Sequence, residues 1–256
     1  MTRTISVFAC VLVMLMGLVG CTTSQTMQES ERSGSEANEL LQRQMDLAVG
    51  YLRNRDYARA KEKLNRALEI DPKYSPAHAT YGLLFQAEGE TELAEKYFRD
   101  AVRFNPEDSQ ARNMYGAFLY SEKRFHEAVK ELELASENRF YANRPVVFEN
   151  LGRAYRRIGD LEAAEYAFTR AIQLNQDQAG ATMELADIKF EQQNYVEAKN
   201  LYRRYSQLAP STARSLWLCV RLARIFKEYN QEASCGEALE GIFPNTDEYQ
   251  LYKESS

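Results

Sequence analysis

The sequence predicts an all-α protein built as an array of similar helix pairs, and three observations lead there. Only six prolines and twelve glycines occur in 256 residues, while Ala, Leu, Glu, Arg, Gln and Tyr dominate, residue types that mostly suit helices. Apolar residues recur at helical spacing, as in Leu40, Leu41, Leu47, Ala48 and Tyr51. Small residues also repeat at a fixed long interval. Ala60, Ala94 and Ala128 are each 34 apart, as are Ala67, Ala101 and Ala135, Pro72 and Pro106, and Gly82 and Gly116. One step of 36 leads to Gly152, Ala164 and Ala171, and 34 resumes at Ala186, Ala198, Pro210 and Pro244. A two-residue insertion near "FYANRP" (140–145) accounts for the break. Chance does not keep phase over six units, and self-similarity at such a period signals a repeat architecture.

The elements follow in chain order. Arg3 is the only charge in the first twenty-eight residues, and "ISVFACVLVMLMGLVG" (5–20) is almost continuously apolar. A charged start, a short apolar run and small residues before a cut make the layout of an export signal over 1–20. At 16 residues the run is short for a membrane span, which needs about 20. "LVGC" (18–21) resembles the bacterial lipobox, which implies lipidation of Cys21 after the cut; a plain secretory signal with an incidental cysteine is the alternative. Thr22 follows where an Asp would favour inner-membrane retention in lipoproteins of this kind, so the resemblance implies the outer membrane, facing the periplasm. Residues 21–38, rich in Ser, Thr, Glu and Gln, read as the lipidated cysteine and a flexible tether.

Residues 39–244 carry the repeats, at about 41–74, 75–108, 109–142, 145–178, 179–212 and 213–244, and 245–256 are left as a C-terminal tail. This period with these residue types resembles the tetratricopeptide repeat, which implies two antiparallel helices per unit stacked into a right-handed superhelix. Gly82, Gly116, Gly152 and Ala48 mark close approach of first helix to second, with Ala60, Ala94, Ala128, Ala164 and Ala198 opposite. Leu64, Phe98, Leu132, Phe168 and Tyr202 are expected to supply bulk between units. Tyr51, Phe85, Leu119 and Tyr155 do so on the first helices. Pro72 and Pro106 end one unit before the next begins, and Ser75-Pro76 reads as an N-cap followed by proline at the first helical position. The sixth unit is degenerate, as terminal repeats often are. There Cys219 and Cys235 stand almost symmetrically about a turn expected at Glu228 to Asn230. They form either a disulfide or two buried thiols, and an oxidising compartment favours the disulfide.

A net charge of −5 with 27% charged residues gives no reason to expect nucleic acid. His78 and His126 lie on different units without ligand-spaced cysteines or carboxylates, so each is read as packing or capping, with no metal. No phosphate loop, dinucleotide fingerprint or nucleophile–base arrangement occurs. We expect no enzyme, no cofactor and no small-molecule substrate. A repeat array offers a groove instead, lined by first-helix positions that packing leaves over. These are Met45, Val49 and Leu52, then Ala79, Leu83 and Gln86, then Asn113, Ala117 and Tyr120, then Glu149, Arg153 and Arg156. The apolar stripe Met45–Val49–Leu52 is a candidate partner site, unless the tether or a capping helix covers it.

"YLRNRDYARAKEKLNRALEIDPKYSPAHATYGLLFQAEGETELAEKYFRDAV" and "NMYGAFLYSEKRFHEAV" resemble the type IV pilus biogenesis and stability lipoproteins, the PilF/PilW pilotin family. The resemblance covers roughly 41–210, with "DPKYSPAH" and "NMYGAFL" its more particular tracts. Tyr120 departs from it, since related sequences often carry Cys there. The resemblance implies a non-catalytic pilotin that binds the secretin subunit of the type IV pilus and promotes its outer-membrane localisation and assembly into multimers. The other reading is a periplasmic adaptor lipoprotein for envelope proteases, peptidoglycan enzymes or outer-membrane protein assembly.

Overall fold

The computed structural model describes residues 20–255, and among these the regular structure is helical throughout. The export signal expected over 1–20, with Leu18 and Val19 of its lipobox, lies outside the described residues apart from Gly20. None of the described helices is long and apolar enough to cross a membrane. The chain forms two compact bodies, one ending at Tyr97 and the other beginning at Phe98.

The first body contains α1 (Gly20–Arg53), α2 (Tyr57–Ile70), α3 (Ser75–Glu88) and the start of α4 (Thr91–Phe104). The expected tether is corrected here: residues 21–38 are the N-terminal part of α1. The segment has no proline, so no residue in it forbids a helix propagating from the packed stretch behind it, although Gly34 and the Ser and Thr residues support one only weakly. The α1–α2 turn is closed by Asp56, whose Oδ1 accepts the Arg59 N–H at 3.1 Å. Asp71, before Pro72, is extended and ends α2, because proline disfavours helical geometry in the residue preceding it. Pro76 sits in the first turn of α3, but the N-cap is Tyr74, and Ser75 is already a buried helical residue. The core joins Leu41, Met45 and Ala48 of α1 to Ala60, Leu64 and Ala67 of α2 and Ala77, Tyr81 and Leu84 of α3. Tyr81 donates to Asn65 Oδ1 at 2.6 Å and stacks on Tyr97 at 4.8 Å. It thus fills space with its ring and satisfies its hydroxyl, as a buried tyrosine must.

The second body continues with α5 (Ser109–Ser121), α6 (Phe125–Glu137), α7 (Arg144–Ile158), α8 (Leu161–Leu174), α9 (Ala179–Glu191), α10 (Tyr195–Leu208), α11 (Ala213–Phe226), α12 (Tyr229–Ile242) and α13 (Asp247–Glu254). Asp108, Asp160, Asn194 and Thr212 each cap a helix through a side-chain oxygen. A Cβ at Gly116 would meet Leu132 Cγ at 2.6 Å, and one at Gly152 would meet the Phe168 ring at 2.7–2.9 Å. Leu132 and Phe168, expected to supply bulk between pairs, therefore also fill space against the first helix of their own pair. Phe98 does bridge to the next pair, with its ring 5.2 Å from Phe118 and 6.0 Å from Tyr115.

The last pair turns at Lys227 and Glu228, and Cys219 and Cys235 form a disulfide across it with Cα atoms 6.2 Å apart. Closing a loop of 16 residues stabilises by about 3 kcal/mol in the chain-entropy account. The expected tail is in fact α13, whose Tyr252 lies against Gly236 and packs on the disulfide cluster. An aromatic residue at that spacing can cover the open end of the last pair, which leaves a helix there rather than a solvated tail.

Candidate protein-binding surface

The apolar stripe expected on α1 does not form an open face. Met45 is 6% exposed and belongs to the core, and Leu52 packs against the same cluster. Met45 lies four residues after Leu41 and three before Ala48, so all three share one helix face, the face that α2 and α3 cover. Of the three residues only Val49 lies outside that cluster, half-buried. The exposed leucines of α1 are Leu40 and Leu47, one turn-pair apart on another side. In α3, Leu83 and Gln86 are half-buried and Ala79 is buried.

In the second body the expected positions do come together. Asn150 Nδ2 donates to Asn113 Oδ1 at 3.0 Å, tying α7 to α5. Ala117 is exposed, and Tyr120 is half-buried with its ring edge-on to Phe125 at 5.3 Å. Tyr120, Arg153, Arg156, Arg157, Glu184 and Arg214 line a cavity of about 300 Å³. Four guanidiniums and one carboxylate thus converge on a single concavity. Gly180 makes room for the Glu149–Arg153 pair at the cavity's edge, since a Cβ there would meet Glu149 Oε1 at 2.1 Å and Arg153 Nη2 at 2.8 Å.

Carboxylates of α7 and α9 hold Arg153, Arg156 and Arg214 in place, while Arg157 lies over the Phe125 ring. Arg153 donates to Glu149 at 2.6 Å, and Arg156 to Glu184 at 2.6 Å and Glu191 at 2.5 Å. Arg214 grips Glu184 with two donors at 2.7 and 2.9 Å, and its Nε donates to Asp187 Oδ2 at 2.6 Å. Such paired, planar donors fix a guanidinium more tightly than a lysine could be fixed. Burial alone would push the Glu184 carboxyl up, but Arg214 and Arg156 hold it below its ordinary value. Asp187 goes the other way: burial pushes it up, and its neighbouring arginines do not fully offset that. Its Oδ1 has Arg221 Nη2 at 3.5 Å but no hydrogen-bond donor. Arg221 rests over the Phe190 ring at 4.4 Å, and burial lowers its pKa.

The sequence expectation reached Tyr120, Glu149, Arg153 and Arg156 but missed Arg157, Glu184, Asp187, Arg214 and Arg221. A signal for part of this set was present. Arg153, Asp187 and Arg221 are each 34 apart, one repeat position alternating in sign over three pairs. Of the two histidines, His78 is buried with Nε2 3.0 Å from the Pro72 carbonyl oxygen, and His126 is exposed.

Tetratricopeptide repeat models match residues 44–74, 82–145 and 158–222. The chain is 35% identical over 247 residues to the type IV pilus assembly protein PilF of Pseudomonas aeruginosa, covering 96% of this chain and 97% of that one. The chain belongs to the PilF family of type IV pilus assembly proteins. A solved structure of Pseudomonas aeruginosa PilF superposes with a TM-score of 0.83 at 34% identity, covering 86% of this chain and 100% of that one. The structure of PilW, described as a widely conserved type IV pilus biogenesis factor, matches at 0.70 and 24% identity over 82% and 97%, a likeness of fold. The all-α tetratricopeptide architecture is thus shared with PilF, and the chain is a type IV pilus biogenesis repeat protein. In this member of the PilF family the pre-arranged polar surface lies on α7, α9 and α11, while the corresponding face of α1 is given over to packing.

Proposed function

We propose that this chain is a pilotin: a non-catalytic, lipid-anchored protein that binds the secretin subunit of the type IV pilus and promotes its outer-membrane localisation and multimer assembly. Identity to PilF along nearly the whole chain carries the reading. Cys21 is the proposed anchor, attached at the periplasmic face of the outer membrane. Two lipid chains or more give stable anchoring where one does not. The proposed partner contacts are Val49, Leu83 and Gln86 in the first body, and Asn113 and Tyr120 with the arginine cavity in the second. A secretin subunit awaiting assembly exposes unpaired strand edges prone to aggregate, and a pre-ordered surface of donors and half-buried apolar groups suits the masking of such a segment.

Two experiments test this directly. In cells carrying Cys21→Ala, the protein should leave the outer-membrane fraction and the secretin should fail to accumulate there. The purified full chain should capture the isolated secretin subunit, and Tyr120→Ala should weaken that capture. Secretin that reaches the outer membrane normally in the Cys21→Ala strain would contradict the anchoring role. Recovery of an envelope hydrolase in place of secretin would instead favour the adaptor reading.

A further inference from the structure

The insertion that interrupts the 34-residue spacing lies between α6 and α7, and its chemistry differs from the rest of the surface. The loop is pinned by its own hydrogen bonds. The Phe140 N–H donates to Asn138 Oδ1 at 3.0 Å, and the Arg144 N–H to the Tyr141 carbonyl at 3.1 Å. At its tip Phe140 is 98% exposed. Burying such a ring is favourable, a gain the free protein forgoes. Tyr166, on neighbouring α8, is 62% exposed.

Three arginines gather beside these rings. The Arg144 guanidinium lies 5.1 Å and that of Arg170 6.0 Å from the centre of the buried Phe148 ring, so one ring holds both side chains. Arg144 is pushed below its ordinary value by burial, then by the charges of Arg170 and Arg139. Among the described residues none of the three forms an ion pair with a carboxylate. Arg144 Nε donates to the Ser136 carbonyl at 2.7 Å, and Arg170 to the Gln173 amide oxygen at 2.8 Å. Elsewhere in this body Arg112, Arg124, Arg153, Arg156 and Arg214 have carboxylate partners, while Arg157 lies over the Phe125 ring and Arg204 donates to the Gln176 carbonyl. A cavity of about 490 Å³ opens beside the tip, its wall formed by Leu134, Phe140 and Arg139, by Arg112, which is paired with Glu131, and by Glu107 and Glu137.

We propose that this loop, the adjoining start of α7 and the Tyr166–Arg170 stretch of α8 form a second docking surface, which receives an acidic segment of a protein partner with Phe140 as its apolar anchor. Unpaired like charges crowded together attract an anion. Exposed aromatics beside arginines are the side chains that dominate protein interfaces. The cavity beside Phe140 accepts a side chain, which suits a polypeptide better than a flat layer of lipid headgroups.

The test uses the full chain in detergent micelles and a fluorescein-labelled peptide of alternating glutamate and leucine, read by anisotropy. Arg139 and Phe140 are exposed, so Arg139→Glu and Phe140→Ser leave the core untouched. The peptide should bind, more weakly as salt screens the charges. Each substitution should weaken it at least about fivefold, and the glutamine counterpart of the peptide should not bind. Absent binding, equal affinity in the variants, or equal binding of the glutamine peptide would overturn the proposal. So would sedimentation with phosphatidylglycerol vesicles that the variants lose while the peptide does not bind, since the surface would then belong to lipid. Because the probe is synthetic, either result stands apart from whether the secretin is the partner of this family member.

Discussion

Single atoms decide much of the packing. Gly152 has the Phe168 ring where its Cβ would be, while Gly50, also helical, has nothing within 4 Å. The two glycines should therefore respond oppositely to alanine. Gly152→Ala forces a buried ring aside and is expected to cost about 1–3 kcal/mol, whereas Gly50→Ala should gain about 0.5–1 kcal/mol, both read by urea denaturation. The two acids of the arginine network should also differ. Glu184 is held below its ordinary 4.5, so folding favours its ionised form. Its contribution is present above pH 4.5 and is lost as pH falls through the folded value. Asp187 is held above its ordinary 3.8, so its contribution is present below pH 3.8 and lost as pH rises. At pH 7 Glu184→Gln should cost about 2 kcal/mol by leaving buried donors under-satisfied, and that cost should shrink at pH 3. Asp187→Asn should change stability by less than about 1 kcal/mol at pH 7.

At the scale of elements, the repeat was legible because close helix contact admits only small side chains, and Gly116, Gly152, Ala60, Ala128 and Ala164 report that contact directly. The phase of α1 was not legible. Leu41, Met45 and Leu52 are apolar like Val49, and composition does not say which of several apolar positions a neighbour will cover. The turns carry a second repeat that residue type conceals. Arg55, Gly89, Lys123, Gly159, Gln193 and Lys227 all adopt positive φ, at 58, 81, 61, 85, 62 and 56°, and stand in the same register as the alanines. Only two of the six are glycine, so the signal lay in backbone geometry. A non-glycine residue costs roughly 1 kcal/mol in that conformation. Lys123→Gly and Gln193→Gly should each raise stability by about 0.5 kcal/mol, once the added freedom of the unfolded chain is subtracted. Thermal melts of the single and double variants would check this, with near-additive gains expected for distant turns.

For the whole molecule, composition and period together indicated a binding protein rather than a catalyst, and identity along the chain places it in type IV pilus biogenesis. Where the binding chemistry resides was only partly legible. Arg153 and Arg156 stood at groove positions in the sequence, but their carboxylate supports come from α9, and Arg214 enters from α11, 27 and 30 residues beyond Asp187 and Glu184. Convergence of that kind is set by stacking and not by local pattern. We propose that secretin assembly depends on this protein. The most direct measurement is the amount of heat- and detergent-resistant secretin multimer in outer-membrane fractions of cells with and without this gene. The account predicts that multimers are lost while secretin monomer persists. Multimers unchanged in amount and location would contradict it.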